Sequence, residues 1–85
     1  MATDASDLIP AFLNPLAGNA AAAREALAAA GGFRMVELAP GSFEHQLREV
    51  VARGARRVLI AGGDGSIAAA AHTLHETPVE LAILP

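Results

Sequence analysis

Cysteine and lysine are both missing from this chain of 85 residues, and each absence excludes a class of site. Without cysteine the chain forms neither a disulfide nor a thiolate metal centre, and its compartment is left open. Without lysine it cannot form a Walker A loop, in which a lysine reaches the terminal phosphates of a nucleotide. A phosphate site in this chain must therefore use backbone N–H groups, a metal ion or one of its six arginines.

The overall composition predicts one small folded domain. Hydrophobic residues make up 53% of the chain and charged residues 18%, a balance typical of a folded interior rather than of disorder. A chain of this length has room for a single domain with limited burial. Its net charge of −3 argues against a nucleic-acid partner, which requires a basic face.

The apolar runs and the N-terminus indicate where in the cell the protein is expected. Residues 1–7 are polar and acidic, so we expect a disordered tail rather than a signal peptide. Arg24 and Glu25 interrupt the alanine-rich stretch, which leaves no run long enough to span a membrane. We expect a cytoplasmic protein that contacts a membrane surface peripherally and transiently.

Short apolar runs alternate with segments of helical character along the chain. Strands are predicted at residues 8–13, 33–38, 57–61 and 81–84, and helices at residues 20–30, from Ser42 to Gly54, and 66–75. Asn19 and Ser42 are expected to cap the first two helices. Strands joined by single helices predict a parallel sheet covered on both faces. The fold class is therefore α/β, a Rossmann-like three-layer α-β-α arrangement with a mostly parallel four-stranded sheet and the third strand central.

One glycine-rich loop lies between the third strand and the third helix. It comprises Gly62, Gly63, Asp64, Gly65 and Ser66. Glycines allow positive φ and let a ligand come close to the backbone. The N–H groups and the dipole of the following helix favour an anion at this position. The sequence therefore predicts a phosphate-binding loop.

The acidic member of the loop, Asp64, requires a separate explanation, because a carboxylate aimed at a phosphate would repel it. Asp64 can bind a cation such as Mg²⁺, accept hydrogen bonds that shape the turn, or serve as a base toward a hydroxyl. The alternative is structural, with Asp64 capping a helix that begins near Ser66.

A second loop, residues 14–18, follows the first strand and contains Asn14, Pro15 and Gly18. The carboxyl ends of parallel strands meet at one edge, so this loop and the glycine-rich loop are expected to flank one ligand. Asn14 can hydrogen-bond a phosphate or a ribose, and Gly18 opens the backbone at the next helix. Taken alone, the Asn-Pro sequence is typical of a simple turn.

The histidines and serines suggest no competing site. His72 and His75 lie three residues apart, and cationic groups near a helix C-terminus explain them better than a metal site does. No serine has a recognisable base beside it, so a hydrolase triad is not predicted.

The two loops, in this order and spacing, resemble the diacylglycerol kinase catalytic domain, a family of bacterial lipid kinases, sphingosine kinases and ceramide kinase. Residues 81–85 resemble the strand before that family's next glycine-rich loop. The Gly-Gly-Asp-Gly sequence alone is shared with phosphofructokinases and NAD kinases. The early Asn-Pro sequence separates this chain from both.

The resemblance implies that residues 8–85 are the ATP-binding half of a partial catalytic domain, like the N-terminal half of phosphofructokinases and NAD kinases. MgATP would lie between this half and a β-rich C-terminal domain outside the chain. The γ-phosphate would pass to a lipid hydroxyl such as that of diacylglycerol, with Asp64 acting through Mg²⁺. The isolated chain would be catalytically silent, with an exposed apolar surface that favours self-association.

Several positions depart from the family pattern and keep other functions open. Ala17 replaces a frequent serine or lysine, Ser66 replaces threonine, and the frequent Asn-Glu pair after the loop is Ala68-Ala69. One alternative is a non-catalytic nucleotide-binding or interaction module. Another is a relative that phosphorylates a sugar phosphate or NAD.

Overall fold

A computed structural model describes residues 8–39 and 41–84, so the predicted tail at residues 1–7 lies outside the described residues. The elements are β1 (Ile9–Leu13), α1 (Ala20–Ala30), β2 (Phe33–Glu37), α2 (Phe43–Ala52), β3 (Arg57–Ala61), α3 (Asp64–Leu74) and β4 (Glu80–Leu84). The predicted alternation of four strands and three helices is confirmed. None of the helices in these ranges combines the length and the apolar character needed to cross a bilayer.

The four strands form one sheet in the order β2-β1-β3-β4, and every pairing is parallel. The prediction that the third strand is central is confirmed, since β3 lies between β1 and β4. At the end of β1, Leu13 pairs with Glu37 on one side and with Ala61 on the other. All four strands therefore end at the same side of the sheet, which we call the carboxyl edge.

Buried side chains alternate between the two faces of the sheet, as the period of a strand requires. Phe12 and Ile60 point to the face covered by α2 and α3. Leu13 and Ala61 point to the opposite face, which α1 covers through Leu27. The predicted three-layer α-β-α architecture is thus confirmed, with one hydrophobic cluster on each side of the sheet.

The helix ends differ from their prediction in two respects. Asn19 and Ser42 occupy the N-cap positions, but neither side chain hydrogen-bonds its helix, so the predicted side-chain caps are wrong. The third helix begins at Asp64 rather than near Ser66, because Gly63 is its N-cap and the carbonyl of Gly63 accepts the N–H of Ile67 at 3.1 Å.

We expect two isoleucines on the same sheet face to respond differently to truncation. Ile60 pairs with Ile83, yet Ile60 is 0% exposed and Ile83 is 48% exposed. Ile60→Ala should lower the free energy of unfolding by about 3 kcal/mol, because it leaves a cavity in the core. The matched control Ile83→Ala should cost less, about 1 kcal/mol, since about half of the residue is already in water. Urea denaturation measures the free energy of unfolding of both variants. An equal loss from the two replacements would contradict the exposure of Ile83 in β4.

Candidate functional site

The two predicted loops lie side by side at the carboxyl edge. The backbone N–H of Asn14 donates to the carbonyl of Ala61 at 3.5 Å, so the first loop leaves β1 next to the end of β3. A Cβ built on Gly62 would lie 3.4 Å from Oγ of Ser66 and 3.9 Å from Cβ of Asn14. The expectation that both loops share one edge is confirmed.

The side chain of Asn14 organises its own loop. Its Oδ1 accepts the backbone N–H of Leu16 at 3.0 Å, and its backbone carbonyl accepts the N–H of Ala17 at 3.0 Å. The Nδ2 group makes no hydrogen bond within residues 8–39 and 41–84, so this donor can turn to a ligand. Pro15 and Gly18 are exposed, and nothing lies within 4 Å of a Cβ built on Gly18. The loop thus presents an amide donor beside an open backbone.

The glycine-rich loop presents backbone donors. The Ile67 N–H makes the first hydrogen bond of α3, so the N–H groups of the four preceding residues have no acceptor inside the helix. Nothing lies within 4 Å of a Cβ built on Gly63 or Gly65, and a ligand can approach the backbone there. This combination of free donors, open space and the positive end of a helix dipole is suited to an anion.

The positive backbone angle that glycine permits is not used in this loop. Among the described glycines, positive φ occurs at Gly31, Gly32, Gly41 and Gly54, all outside residues 62–66. What glycine contributes at positions 63 and 65 is therefore space rather than an unusual turn.

Asp64 is the first residue of α3, and its side chain is exposed. It is not the N-cap, so the alternative of a simple helix cap is wrong. Within the described ranges, no group of three or more His, Cys, Asp or Glu side chains could hold a metal ion. The site still fits Mg²⁺, because this ion is commonly bound by one or two carboxylates together with phosphates and water.

The arginines leave the glycine-rich loop without a basic side chain. Three of them are engaged in exposed ion pairs: Arg24 with Glu37 at 3.4 Å, Arg48 with Glu44, and Arg57 with Glu80 at 3.2 Å. The others, Arg34, Arg53 and Arg56, line cavities toward the amino ends of the strands. The largest of these cavities, about 760 Å³, lies away from both loops. Negative charge at the loop therefore meets backbone N–H groups rather than a guanidinium group.

Gln46 is a residue that sequence analysis missed. Its Oε1 accepts the N–H of Ala39 at 3.0 Å, and its Nε2 donates to the carbonyl of Glu37 at 3.0 Å. The side chain thereby ties α2 to the loop that follows β2 at the carboxyl edge. The available signal was its spacing, because Gln46 lies three residues after Phe43 and four before Val50, on the apolar side of α2.

The profile of one protein family, described as the diacylglycerol kinase catalytic domain, matches residues 9–85 and so includes both loops. The chain belongs to this family. Two curated relatives from two strains of Mycobacterium tuberculosis, each called diacylglycerol kinase, are 34% identical over 85 aligned positions. The match covers 91% of this chain and 28% of each relative, so the chain spans just over a quarter of their length. No solved structure matches the chain.

Membership of a kinase family confirms the resemblance carried by the two loops. Both relatives carry the name of a kinase, which agrees with a loop whose donors suit a phosphate. The roles of the individual loop residues remain predictions.

We expect two replacements of Asn14 to show how much its Oδ1 hydrogen bond contributes to the stability of the turn. Asn14→Ala removes the acceptor for the Leu16 N–H and should lower the free energy of unfolding by about 1 kcal/mol. Asn14→Asp keeps an oxygen in that position and should remain within about 0.5 kcal/mol of the original chain. Urea denaturation and hydrogen exchange of the Leu16 amide measure the difference. Equal losses from both replacements would show that the turn does not depend on this hydrogen bond.

Proposed function

We propose that this chain is the nucleotide-binding part of a lipid kinase, which binds ATP with Mg²⁺ and passes the γ-phosphate to a lipid hydroxyl such as that of diacylglycerol. One observation supports this most strongly. The Asn14 loop and the glycine-rich loop lie beside each other at the carboxyl edge, where the free N–H groups of α3 begin. Ligands of open α/β sheets bind at this edge.

In this proposal the backbone carries out the work that lysine does in a Walker A loop. The N–H groups of Gly63, Gly65 and Ser66 hold phosphate oxygens, and the missing side chains of the two glycines let the phosphates approach. The Nδ2 group of Asn14 donates to the nucleotide from the neighbouring loop. Preorganised donors of this kind stabilise charge that moves during phosphoryl transfer.

Asp64 is the proposed catalytic and metal-linked residue. Its carboxylate, in the first turn of α3, would hold Mg²⁺ against the phosphates or shape the loop around them. Mg²⁺, when bound, neutralises phosphate charge and orients the transferred group. Neither loop contains an arginine or a lysine, so a bound cation would supply the positive charge that the two loops lack.

The lipid acceptor is proposed to bind outside the described residues, which supply a phosphate cradle and one carboxylate. By family resemblance, a β-rich C-terminal domain would close the cleft against the carboxyl edge. The protein would work in the cytoplasm. Because diacylglycerol lies in a bilayer, it would contact a membrane surface transiently.

A non-catalytic nucleotide-binding module is the second candidate. Ala68 and Ala69 are exposed on α3, at the positions where the family often has an Asn-Glu pair. Their small apolar side chains offer neither a charge nor a hydrogen bond to a ligand. A module of this kind would bind ATP without transferring phosphate.

We expect MgATP to perturb the amide NMR signals of Asn14, Gly18 and residues 62–66 before any others. The dissociation constant should be in the millimolar range or weaker, about −4 kcal/mol or less favourable, because in this proposal the chain supplies only part of the cleft. Gly63→Val should abolish these shifts by filling the open space. Asp64→Ala should reduce their dependence on Mg²⁺ while leaving the fold intact.

A matched control places similar bulk elsewhere on the same helix. Ala71→Val adds a branched side chain at an exposed position of α3, and the shifts should persist. If the shifts cluster at His72 and His75 and the glycine-rich loop does not respond, ATP binds at the C-terminal end of α3. That result would refute the proposal.

Phosphoryl transfer distinguishes the two candidate functions. With radiolabelled ATP, the 85-residue chain should transfer no label to diacylglycerol, a sugar phosphate or NAD, since we propose that the acceptor binds outside the described residues. A longer protein carrying this chain should label diacylglycerol. If the longer protein binds ATP without any transfer, the result favours the non-catalytic module. If the label appears on a sugar phosphate or on NAD, that compound and not a lipid is the acceptor.

A further inference from the structure

Leu16, in the Asn14 loop, is the most exposed large hydrophobic residue among those that the structure describes. It is 83% exposed, whereas Ile83, the other exposed one, is 48% exposed. A single exposed leucine needs no explanation on a protein surface. Leu16 differs from an ordinary surface leucine in the hydrogen bonds of its turn, in the neutrality of its neighbours and in its place beside the glycine-rich loop.

The turn that carries Leu16 is held by hydrogen bonds on both sides of this residue. The N–H of Leu16 donates to Oδ1 of Asn14 at 3.0 Å, and the N–H of Ala17 donates to the backbone carbonyl of Asn14 at 3.0 Å. The carbonyl of Ala17 in turn accepts the N–H of Ala20, the first residue of α1, at 3.1 Å. These bonds fix the backbone from which the leucine side chain projects into water.

The segment around Leu16 is uncharged. Residues 8–23 contain no Asp, Glu, Lys or Arg. Pro15, Gly18 and Asn19 are exposed near Leu16 in the sequence. Moving a charged group out of water is costly, and this loop brings only apolar and neutral polar groups with it. A loop of this composition can enter the boundary between the headgroups and the acyl chains of a bilayer.

The position of Leu16 also suits contact with a membrane. The N–H of Asn14 donates to the carbonyl of Ala61 at 3.5 Å, so the loop that carries Leu16 lies next to the start of the glycine-rich loop. In the proposed function, the hydroxyl that accepts the phosphate belongs to a lipid in a bilayer. A protein that acts on this hydroxyl must turn its carboxyl edge toward the membrane, and Leu16 projects from that edge.

The arginines offer a rival contact at the opposite end of the sheet. Arg34, Arg53 and Arg56 line cavities toward the amino ends of the strands, and they form no ion pair within residues 8–39 and 41–84. Anionic lipids would attract these side chains, but this contact would turn the carboxyl edge away from the membrane. Salt screens an attraction between charges and leaves the insertion of a leucine nearly unchanged, so the two contacts can be told apart.

We propose that Leu16 is a membrane anchor, which inserts into the bilayer surface and holds the carboxyl edge against it. The inference rests on the proposed function and adds the residue through which the protein reaches the membrane of its lipid acceptor. Apolar groups of surface-bound proteins lie roughly 5–10 Å into the headgroup boundary. One leucine gives weak and reversible binding, since even a whole myristoyl chain binds only marginally by itself.

The chain contains no tryptophan, and this absence makes a fluorescence test possible. Leu16→Trp places one fluorophore at the proposed contact. The matched control Ala29→Trp places one at an exposed position near the C-terminal end of the same helix-and-loop segment. With vesicles of phosphatidylcholine and diacylglycerol, the emission of Leu16→Trp should shift to the blue, and lipids with brominated acyl chains should quench it. The emission of Ala29→Trp should not change, and high salt should alter neither result.

Sedimentation with the same vesicles at high lipid concentration measures the contribution of the leucine itself. Leu16→Ser should lower the partition coefficient about tenfold, because it removes the main apolar contact. Leu16→Met keeps an apolar side chain of similar size and should retain the binding. Both variants keep the backbone N–H that donates to Asn14, so the midpoint of urea unfolding and the response to MgATP should stay close to those of the original chain.

Two results would overturn the inference while the glycine-rich loop still responds to MgATP without vesicles and the proposed function stands. In one, the emission of Leu16→Trp does not change with vesicles. In the other, the chain binds only vesicles that contain phosphatidylserine, salt reverses the binding and Leu16→Ser has no effect, which assigns the contact to the arginines. If the glycine-rich loop does not respond to MgATP, the proposed function is refuted, and the inference falls with it.

Discussion

β1 and β3 pair in parallel at the centre of the sheet, and both faces of this pair are buried. Phe12 lies opposite Ile60, and Leu13 lies opposite Ala61, on alternate faces. A slip of one residue would send each of these side chains to the wrong face, which makes the register strongly determined. Because the register is determined by the core, the residues after Leu13 and Ala61 leave the sheet next to each other. The position of the candidate site is therefore a consequence of core packing.

The electrostatics of the site follow from the absence of lysine and the placement of the arginines. Backbone N–H groups and a helix dipole offer about half an elementary charge to an anion. The triphosphate of ATP, the ligand that we propose, carries several negative charges, so most of its neutralisation would have to come from a cation or from groups outside the described residues. In this setting an acidic residue at the start of α3 is consistent with a phosphate site, since Asp64 can recruit the cation that the loop lacks.

Local sequence signals predicted much of the fold and the pairing of the two loops. The bounds of α1 and β3 match their prediction, because a clear apolar pattern stops at glycine in each case. The start of α3 was placed two residues late, since Gly-Asp-Gly is typical of a turn. In the structure, Gly63 is the N-cap, and the helix begins inside the motif at Asp64.

Gln46 and the capping residues show where local signals are insufficient. Asn19 and Ser42 have the expected residue types at the expected positions, yet their side chains make no cap hydrogen bond. Gln46 matches no capping pattern, because its partners belong to β2 and the following loop. A contact between α2 and β2 depends on how these two elements pack. Sequence spacing alone shows only that Gln46 is a polar residue on an apolar helix face.

The two outer strands of the sheet, β2 and β4, differ in how well their outer edges are covered. Gln46 accounts for part of this difference. Exposed outer strands can pair with further strands unless charges or other groups cover them. Gln46 occupies the outward backbone groups at the end of β2, and the exposed charges of Arg34 and Glu37 lie along the same strand. In β4 the single charged residue is Glu80, which pairs with Arg57, while Ile83 is about half exposed. Among the described residues, β4 is therefore the side at which the sheet can be extended, and it is the surface on which the predicted self-association would depend.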